Sequence, residues 1–394
     1  MKKIICLILC LELLFIVTGC SYSVPTPMQY PDYTFEAEPE SSELRATAVR
    51  AMHDLLSIQW YTKKEINYRK SGPLSFKDFC LEPKTTYGGV LYSGAYSGLF
   101  QFLEYYSSED GCLEFNGTDE ELKVTIGSSC ADALLWSWSA VCNSIEGGFY
   151  PALMVPQNGY QIVGDYTFRQ VISNYNELPT YAIINDHPKE VIMDAYAKTL
   201  PADALVSTPD NHAMMVIEEP VVVYKKDGSI DSENSYLIIQ DQRGGDNTST
   251  IEVVDGIEIP YNGRLRAKYT FEKLYEKDYI PLTTAEFAGK KTYDKATVTA
   301  TDTNCKSLDA LAEVSVESNY PLAIINIISI NSKGKESVMA RKTIGGASMY
   351  GVPKSYKLSD IENFSNLSPA KGEIIKIEVV VSTGERFYPI EFTV

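Results

Sequence analysis

From Leu44 onward, apolar residues fall three and four positions apart. Leu44, Val49, Met52, Leu55, Leu56 and Trp60 lie on one face and predict a helix over residues 43–66. An irregular stretch follows, then the glycine-rich segment Tyr87-Gly88-Gly89-Val90-Leu91-Tyr92-Ser93-Gly94, and Leu99 to Tyr106 resumes a helical pattern. Leu134, Leu135, Trp138, Val141, Cys142 and Ile145 predict a further helix, from Cys130 to about Ser144, ended by Gly147-Gly148. Beyond it the period shortens towards two. Gly159 to Val163, Thr180 to Ile184 and Ala204 to Ser207 read as short strands, and Lys189 to Thr199 as a helix. The runs His212-Ala-Met-Met-Val-Ile and Tyr236-Leu-Ile-Ile-Gln-Asp-Gln242 flank a turn signal at Asp227-Gly228. They predict a long antiparallel hairpin with an irregularity at Pro220. Residues 247–285 hold more short strands and close on Phe271-Glu-Lys-Leu-Tyr.

From about Ala285 only short apolar pieces remain, such as Leu322-Ala-Ile-Ile-Asn-Ile-Ile and Ile374-Ile-Lys-Ile-Glu-Val-Val-Val, separated by Gly, Asn, Ser and Lys turns. That pattern predicts a β-sandwich over residues 285–394, read as a support or docking module. The expected whole is an α+β domain over residues 43–284, with N-terminal helices and an antiparallel sheet, followed by an all-β Ig-like sandwich. Two domains also suit about 350 folded residues.

The start of the chain reads differently. Lys2 and Lys3 precede an almost wholly apolar run, Ile4 to Val17, then Val17-Thr18-Gly19-Cys20. The run has the length of a signal-peptide core and is short for a membrane span. Small residues directly before a cysteine resemble the bacterial lipobox, which implies cleavage before Cys20, removal of residues 1–19 and lipidation of Cys20. Residues 20–42, rich in Ser, Pro, Tyr and Glu, would form a tether. The mature chain is expected to be exported and lipid-anchored on the outer face of a bacterial membrane, with the lipid as its membrane contact.

Lys and Arg number 35 against 52 Asp and Glu, a net charge of −17. Loss of Lys2, Lys3 and Glu12 with the signal would leave about −18. So acidic a chain lacks the basic footprint that phosphate binding needs, so no nucleic-acid partner is expected. Of 8 cysteines, Cys80, Cys112, Cys130, Cys142 and Cys305 follow Cys20; an odd number leaves at least one thiol unbridged. Cys80 with Cys112 is one pairing open to them. Cys130 and Cys142 would lie about 18 Å apart along one helix, too far to bridge. No Cys or His spacing suggests a metal site, and no cofactor is implied.

Cys130 has the most informative surroundings. Ser129 and Asp132 form a Ser-x-x-acid capping pattern, which places the thiol in the first turn of its helix. There the free N–H groups and the helix dipole favour a thiolate. A buried structural cysteine is the other reading of that segment. A nucleophilic cysteine needs a base, and the chain holds 3 histidines. His53 stands isolated on the first helix, and His187 precedes Pro188 in a loop. His212 opens an apolar strand after Thr208-Pro-Asp-Asn211, where a helix N-terminus can meet it.

The order of these features resembles the NlpC/P60-like, papain-like superfamily of cysteine peptidases and amidases. The matching residues are Tyr92 in its glycine loop, Cys130 at a helix start, Pro201-Ala202-Asp203-Ala204, and His212-Ala-Met-Met-Val. The match covers roughly residues 84–245. It departs from the family pattern at Ser129 (usually Asp), at Ala131-Asp132 (usually Ser-Gly) and at Ala202 (usually Gly).

The resemblance implies that Cys130 attacks an amide carbonyl and that His212 accepts the thiol proton, then protonates the leaving amine. Tyr92 would lie near the amine end of a wall peptide or other peptide substrate, with Ser129 and Asp132 beside it. The family's third polar residue orients the imidazole from the return strand. Gln242 fits best, and Gln240 shares its face by the two-residue period. Asp241 would point to the other face unless a bulge, which Pro220 makes possible, turns it. The expected function is a lipoprotein hydrolase acting on amide or peptide bonds of the cell wall. The alternative is a non-catalytic lipoprotein that binds a wall peptide or a protein partner with the same fold.

Overall fold

The computed structural model describes residues 41–68, 79–95, 97–107, 111–114, 127–145, 150–167, 179–243, 250–254, 257–261, 263–345 and 353–394. The signal segment, residues 20–40 of the tether with Cys20, Gly147-Gly148 and the side chain of Cys80 lie outside the described residues. Among those described, no helix is long and apolar enough to cross a membrane.

The fold is α+β with antiparallel sheets. The first helix, α1 (Ser41–Ser57), buries Leu44, Ala48, Ala51, Met52, Leu55 and Leu56 at helical spacing. It ends before Trp60, short of the expected residue 66, because Gln59 and Trp60 pair instead with Gly88 and Tyr87 of the glycine-rich segment. The next helix, α2 (Leu99–Leu103), likewise gives way to a short strand at Tyr106–Ser107. The helix α3 (Cys130–Trp138) is capped at Ser129 and ends at Ser139, with turns carrying the chain on to Ile145.

The central sheet has six strands: β1 (Gln161–Ile162), β2 (Ala204–Ser207), β3 (His212–Val216), β4 (Tyr236–Gln242), β5 (Gly263–Thr270) and β6 (Ile280–Thr283). They run in the order β5-β4-β3-β2-β6-β1. The expected hairpin is present, and β3 pairs with β4. Thr180–Asp186 is a helix, α4, not a strand; Thr180, Ile183 and Ile184 are its buried face, at i, i+3 and i+4. Two more helices follow, α5 (Lys189–Ala197) and α6 (Phe271–Glu276). α3 packs on β3, β4 and α1, so the capped end that carries Cys130 is seated on the strand that begins with His212.

The C-terminal part forms two antiparallel sheets. One holds β7 (Val298–Ala300), β8 (Ser315–Ser318) and β11 (Ser355–Lys357); the other holds β9 (Leu322–Ile330), β10 (Glu336–Thr343), β12 (Ile374–Val381) and β13 (Arg386–Thr393). They share a core that includes Val316, Ile325, Ile327, Ile377, Val379 and Ile390. Ala323, Ile324 and Val380 pack instead into the core shared by α1, α3 and the central sheet. The two regions are further joined by hydrogen bonds, two of them buried. Ser382 Oγ donates to Ser139 O at 2.6 Å, Tyr320 Oη to Val141 O at 3.2 Å and Lys354 Nζ to Asn143 O at 2.7 Å. These carbonyls belong to Ser139, the C-cap of α3, and to Val141 and Asn143 of the segment that follows it.

Candidate active site

The capping box expected at Cys130 is formed. Ser129 N donates to Asp132 Oδ2 at 3.2 Å, the two side chains hydrogen-bond directly, and Asp132 N donates to Ser129 Oγ at 3.4 Å. Cys130 therefore occupies the first helical position, where its own N–H has no carbonyl four residues back to bond. Asp132 is wholly buried, and burial lifts its carboxyl to about 7 against the opposing hydrogen bonds from Ser129. Ser129 and Asp132, expected beside the substrate, thus spend their side chains on each other, and Asp132 has no surface to offer a ligand.

Tyr92 reaches the sulfur because its loop is zipped to the residues before α3. Ser128 N donates to Leu91 O at 2.8 Å, Ser93 N to Ser128 O at 3.3 Å and Ser97 N to Gly127 O at 2.8 Å. Gly127 takes a φ of +121°, and a Cβ there would strike Ser93 Oγ, so the close approach of the two strands requires glycine. The Tyr92 phenol shares a hydrogen bond with Cys130. Burial, with the charges of Cys130, Asp132 and Asp241, holds that phenol protonated far above neutrality.

His212 follows a turn, Thr208 to Asn211, in which Asn211 adopts a φ of +46°, a conformation asparagine tolerates better than most residues. Cys130 Sγ lies 3.8 Å from the backbone O of Asn211, the residue before His212, and the imidazole feels the sulfur. His212 Nε2 is 2.6 Å from Asp241 Oδ2, which leaves Nδ1 as the ring nitrogen for the sulfur. Burial alone would lower the pKa of His212. The hydrogen bonds and charges of Asp241 and Cys130 outweigh it and lift the ring to about 10, so a cation stands against the sulfur at neutral pH.

Asp241, not Gln242, is thus the residue on the imidazole. The reason is register. β3 and β4 pair Val216 with Ile239 and Met215 with Gln240, so even-numbered residues of β3 share a face with odd-numbered residues of β4. His212, Met214 and Asp241 lie on that face. Gln240 and Gln242 lie on the other, where Gln240 Nε2 donates to Val49 O of α1 at 2.9 Å and Gln242 Nε2 to Val90 O at 2.7 Å. Both glutamines hold scaffold, Gln242 by pinning the loop two residues before Tyr92.

Asp241 is 0 % exposed. Burial would raise its carboxyl, but His212 and Arg264 together pull it below the usual carboxylate value. Arg264 Nε donates to Oδ1 at 2.7 Å, and Nη2 donates to Oδ2. The remaining histidines stand elsewhere. His53 neighbours Ser57 and Asp54 on α1, and His187 Nδ1 contacts Ile183 O at 2.8 Å. Cys142 is buried beside Thr284, with Sγ to Oγ1 at 3.3 Å, and burial pushes its thiol well up.

Pro201 and Asp203 of the Pro-Ala-Asp-Ala segment bind Arg45 of α1: Nη1 donates to Pro201 O at 2.7 Å and to Asp203 Oδ1 at 2.8 Å. Between them Ala202 has a φ of +73°, the left-handed region that favours glycine.

No protein-family model matches the chain, and no curated protein or solved structure was found to match it.

Proposed function

We propose that the chain is a cysteine hydrolase of amide or peptide bonds with a papain-like domain of the NlpC/P60 type and an Ig-like C-terminal sandwich. The observation that carries this reading is the series Cys130, His212 and Asp241, grouped where a helix start meets two neighbouring strands, with His212 Nε2 2.6 Å from Asp241 Oδ2 and the imidazole under the influence of the sulfur. In this reading the Cys130 thiolate attacks the carbonyl carbon. The N–H groups at the start of α3 receive the developing oxyanion. His212 gives its proton to the leaving amine, and a thioester remains on Cys130. His212, now neutral, takes a proton from water, which attacks the thioester and releases the acid and the thiol. Tyr92, protonated and beside the sulfur, donates a hydrogen bond to the bound substrate.

The wall peptide as substrate, the export of the chain and its anchoring through a lipid on Cys20 belong to the same proposal. They rest on the resemblance carried by Tyr92, Cys130 and His212 and on the lipobox-like start. The test is hydrolysis of cell-wall peptide fragments by the chain and by Cys130→Ala, followed by mass spectrometry. Release of a new amine by the wild type and none by the variant supports the proposal. Tight binding of the fragments that is unchanged in Cys130→Ala, with no turnover in either, would mark a binding protein instead.

A further inference from the structure

Arg264 sits directly across from Asp241 on the adjacent antiparallel strand, and a bulge puts it there. Ile239 pairs with Ala267, yet Asp241 pairs with Arg264. Gln240 of β4 is therefore faced by two residues of β5, Leu265 and Arg266. With unbroken register Asp241 would face Leu265, and Arg264 would face Gln242 on the opposite side of the sheet. The next residue, Gly263, fits only as glycine, because a Cβ there would lie 2.6 Å from Leu56 Cδ2 and 2.7 Å from Asp241 O.

The guanidinium is held by a second partner. Beyond its two-pronged grip on Asp241, Nη1 donates to Tyr269 Oη at 2.8 Å, and the group stands 5.2 Å from the centre of the Tyr269 ring. A carboxylate shut away from water would otherwise take up a proton. A protonated Asp241 would donate to His212 Nε2 and leave the ring's own proton on Nδ1, the nitrogen that must accept from Cys130. We propose that Arg264 is a positioning residue of this site: it keeps Asp241 ionised and its Oδ2 aimed at His212 Nε2, so that His212 presents the correct nitrogen to Cys130. The proposal rests on the reading of Cys130 as a nucleophile.

The groups around Asp241 fit this assignment. β3 contributes His212 and β5 contributes Arg264. The phenols of Tyr92 and Tyr279 feel the carboxylate's charge and stay protonated. α1, packed on β4 and β5, directs Arg45 to Asp203 and sets His53 beside Asp54.

The test follows Cys130 alkylation by iodoacetamide against pH in the full chain, with peptide mapping to separate the thiols and circular dichroism to certify folding. Arg264→Met is expected to move the Cys130 pH profile by about one unit and slow alkylation at neutral pH about tenfold. Arg264→Lys, which restores a charge without the fork, is expected to recover part of the shift. Should Arg264→Met fail to fold, Arg264→Gln is read in the same way. A folded Arg264→Met or Arg264→Gln protein with the wild-type profile overturns the proposal. Wild-type Cys130 that reacts no faster than Cys142 would instead sink the underlying reading of the nucleophile, so the two failures are distinguishable.

Discussion

His212 and Asp241 meet at 2.6 Å across β3 and β4, with the carboxylate entirely shielded from solvent. A buried anion in that position stabilises the imidazolium and fixes which ring nitrogen faces the sulfur. Asp241→Asn keeps the shape and removes the charge. Hydrolysis by the variant is expected to fall on the order of 10²- to 10⁴-fold in kcat with little change in KM. Gln242→Ala should cost stability, about 1–2 kcal/mol for the lost bond to Val90 O, and leave kcat within a few-fold. Steady-state kinetics on the folded variants decide between them; a larger kcat loss in Gln242→Ala would contradict the role given to Asp241.

The raised pKa of His212, about 10 against about 6.5 in an unfolded chain, makes a prediction with a definite sign. A group held protonated by the fold contributes its full stabilisation below about 6.5 and loses it as pH rises towards 10. The stability difference between wild type and His212→Gln in urea should therefore shrink steadily between pH 7 and 10. NMR titration of the three ring signals gives the direct reading, with His212 still protonated at pH 8. A His212 midpoint near 6.5 would show that Asp241 and Cys130 do not hold the ring as a cation.

The C-terminal sheets brace the far end of α3, the helix that begins with Cys130. Ser382→Ala removes the donor to Ser139 O and leaves a buried carbonyl unbonded, an expected loss of about 1–3 kcal/mol. Urea unfolding measures it. Because the bond crosses between the two regions, the loss should appear in a single transition, whereas early unfolding of the C-terminal region alone in the wild type would contradict the coupling.

Arg45 and Asp203 tie α1 to the segment between α5 and β2 through a buried ion pair. Arg45→Ala strands a buried carboxylate and should cost about 3–5 kcal/mol. The pair is separate from the Cys130 series, so the fraction that stays folded is expected to keep the wild-type rate of Cys130 alkylation. A rate lost out of proportion to folding would place α1 in the chemistry.

The sequence makes some of this arrangement readable and hides the rest for specific reasons. Ser129, Asp132 and the apolar residues after Cys130 mark the helix start, and the structure forms that capping box. His212 and the hairpin follow from an apolar run, a turn and a second apolar run. The third member of the series is not readable in the same way. Period-two reasoning places Gln240 and Gln242 on one face and Asp241 on the other, but which face His212 takes depends on a pairing register that no local signal sets. Arg264 lies further from reach. It sits in Gly263-Arg-Leu-Arg-Ala-Lys-Tyr-Thr, where Arg266 and Lys268 look equivalent, and only the bulge at Leu265 and Arg266 singles it out. Thr180 to Ile184 reads as a strand because β-branched residues crowd it; packing of Thr180, Ile183 and Ile184 overrides that preference.

The central claim is that Cys130 is a nucleophile activated by His212, and thiol alkylation in the folded chain tests it most directly. Brief exposure to iodoacetamide at neutral pH, quenching and peptide mapping would give separate rates for Cys130, Cys142 and Cys305. Labelling of Cys130 at least tenfold faster than Cys142, abolished by His212→Ala in a protein that remains folded, is the predicted result. Equal rates for Cys130 and Cys142, or a Cys130 rate indifferent to His212→Ala, would contradict it.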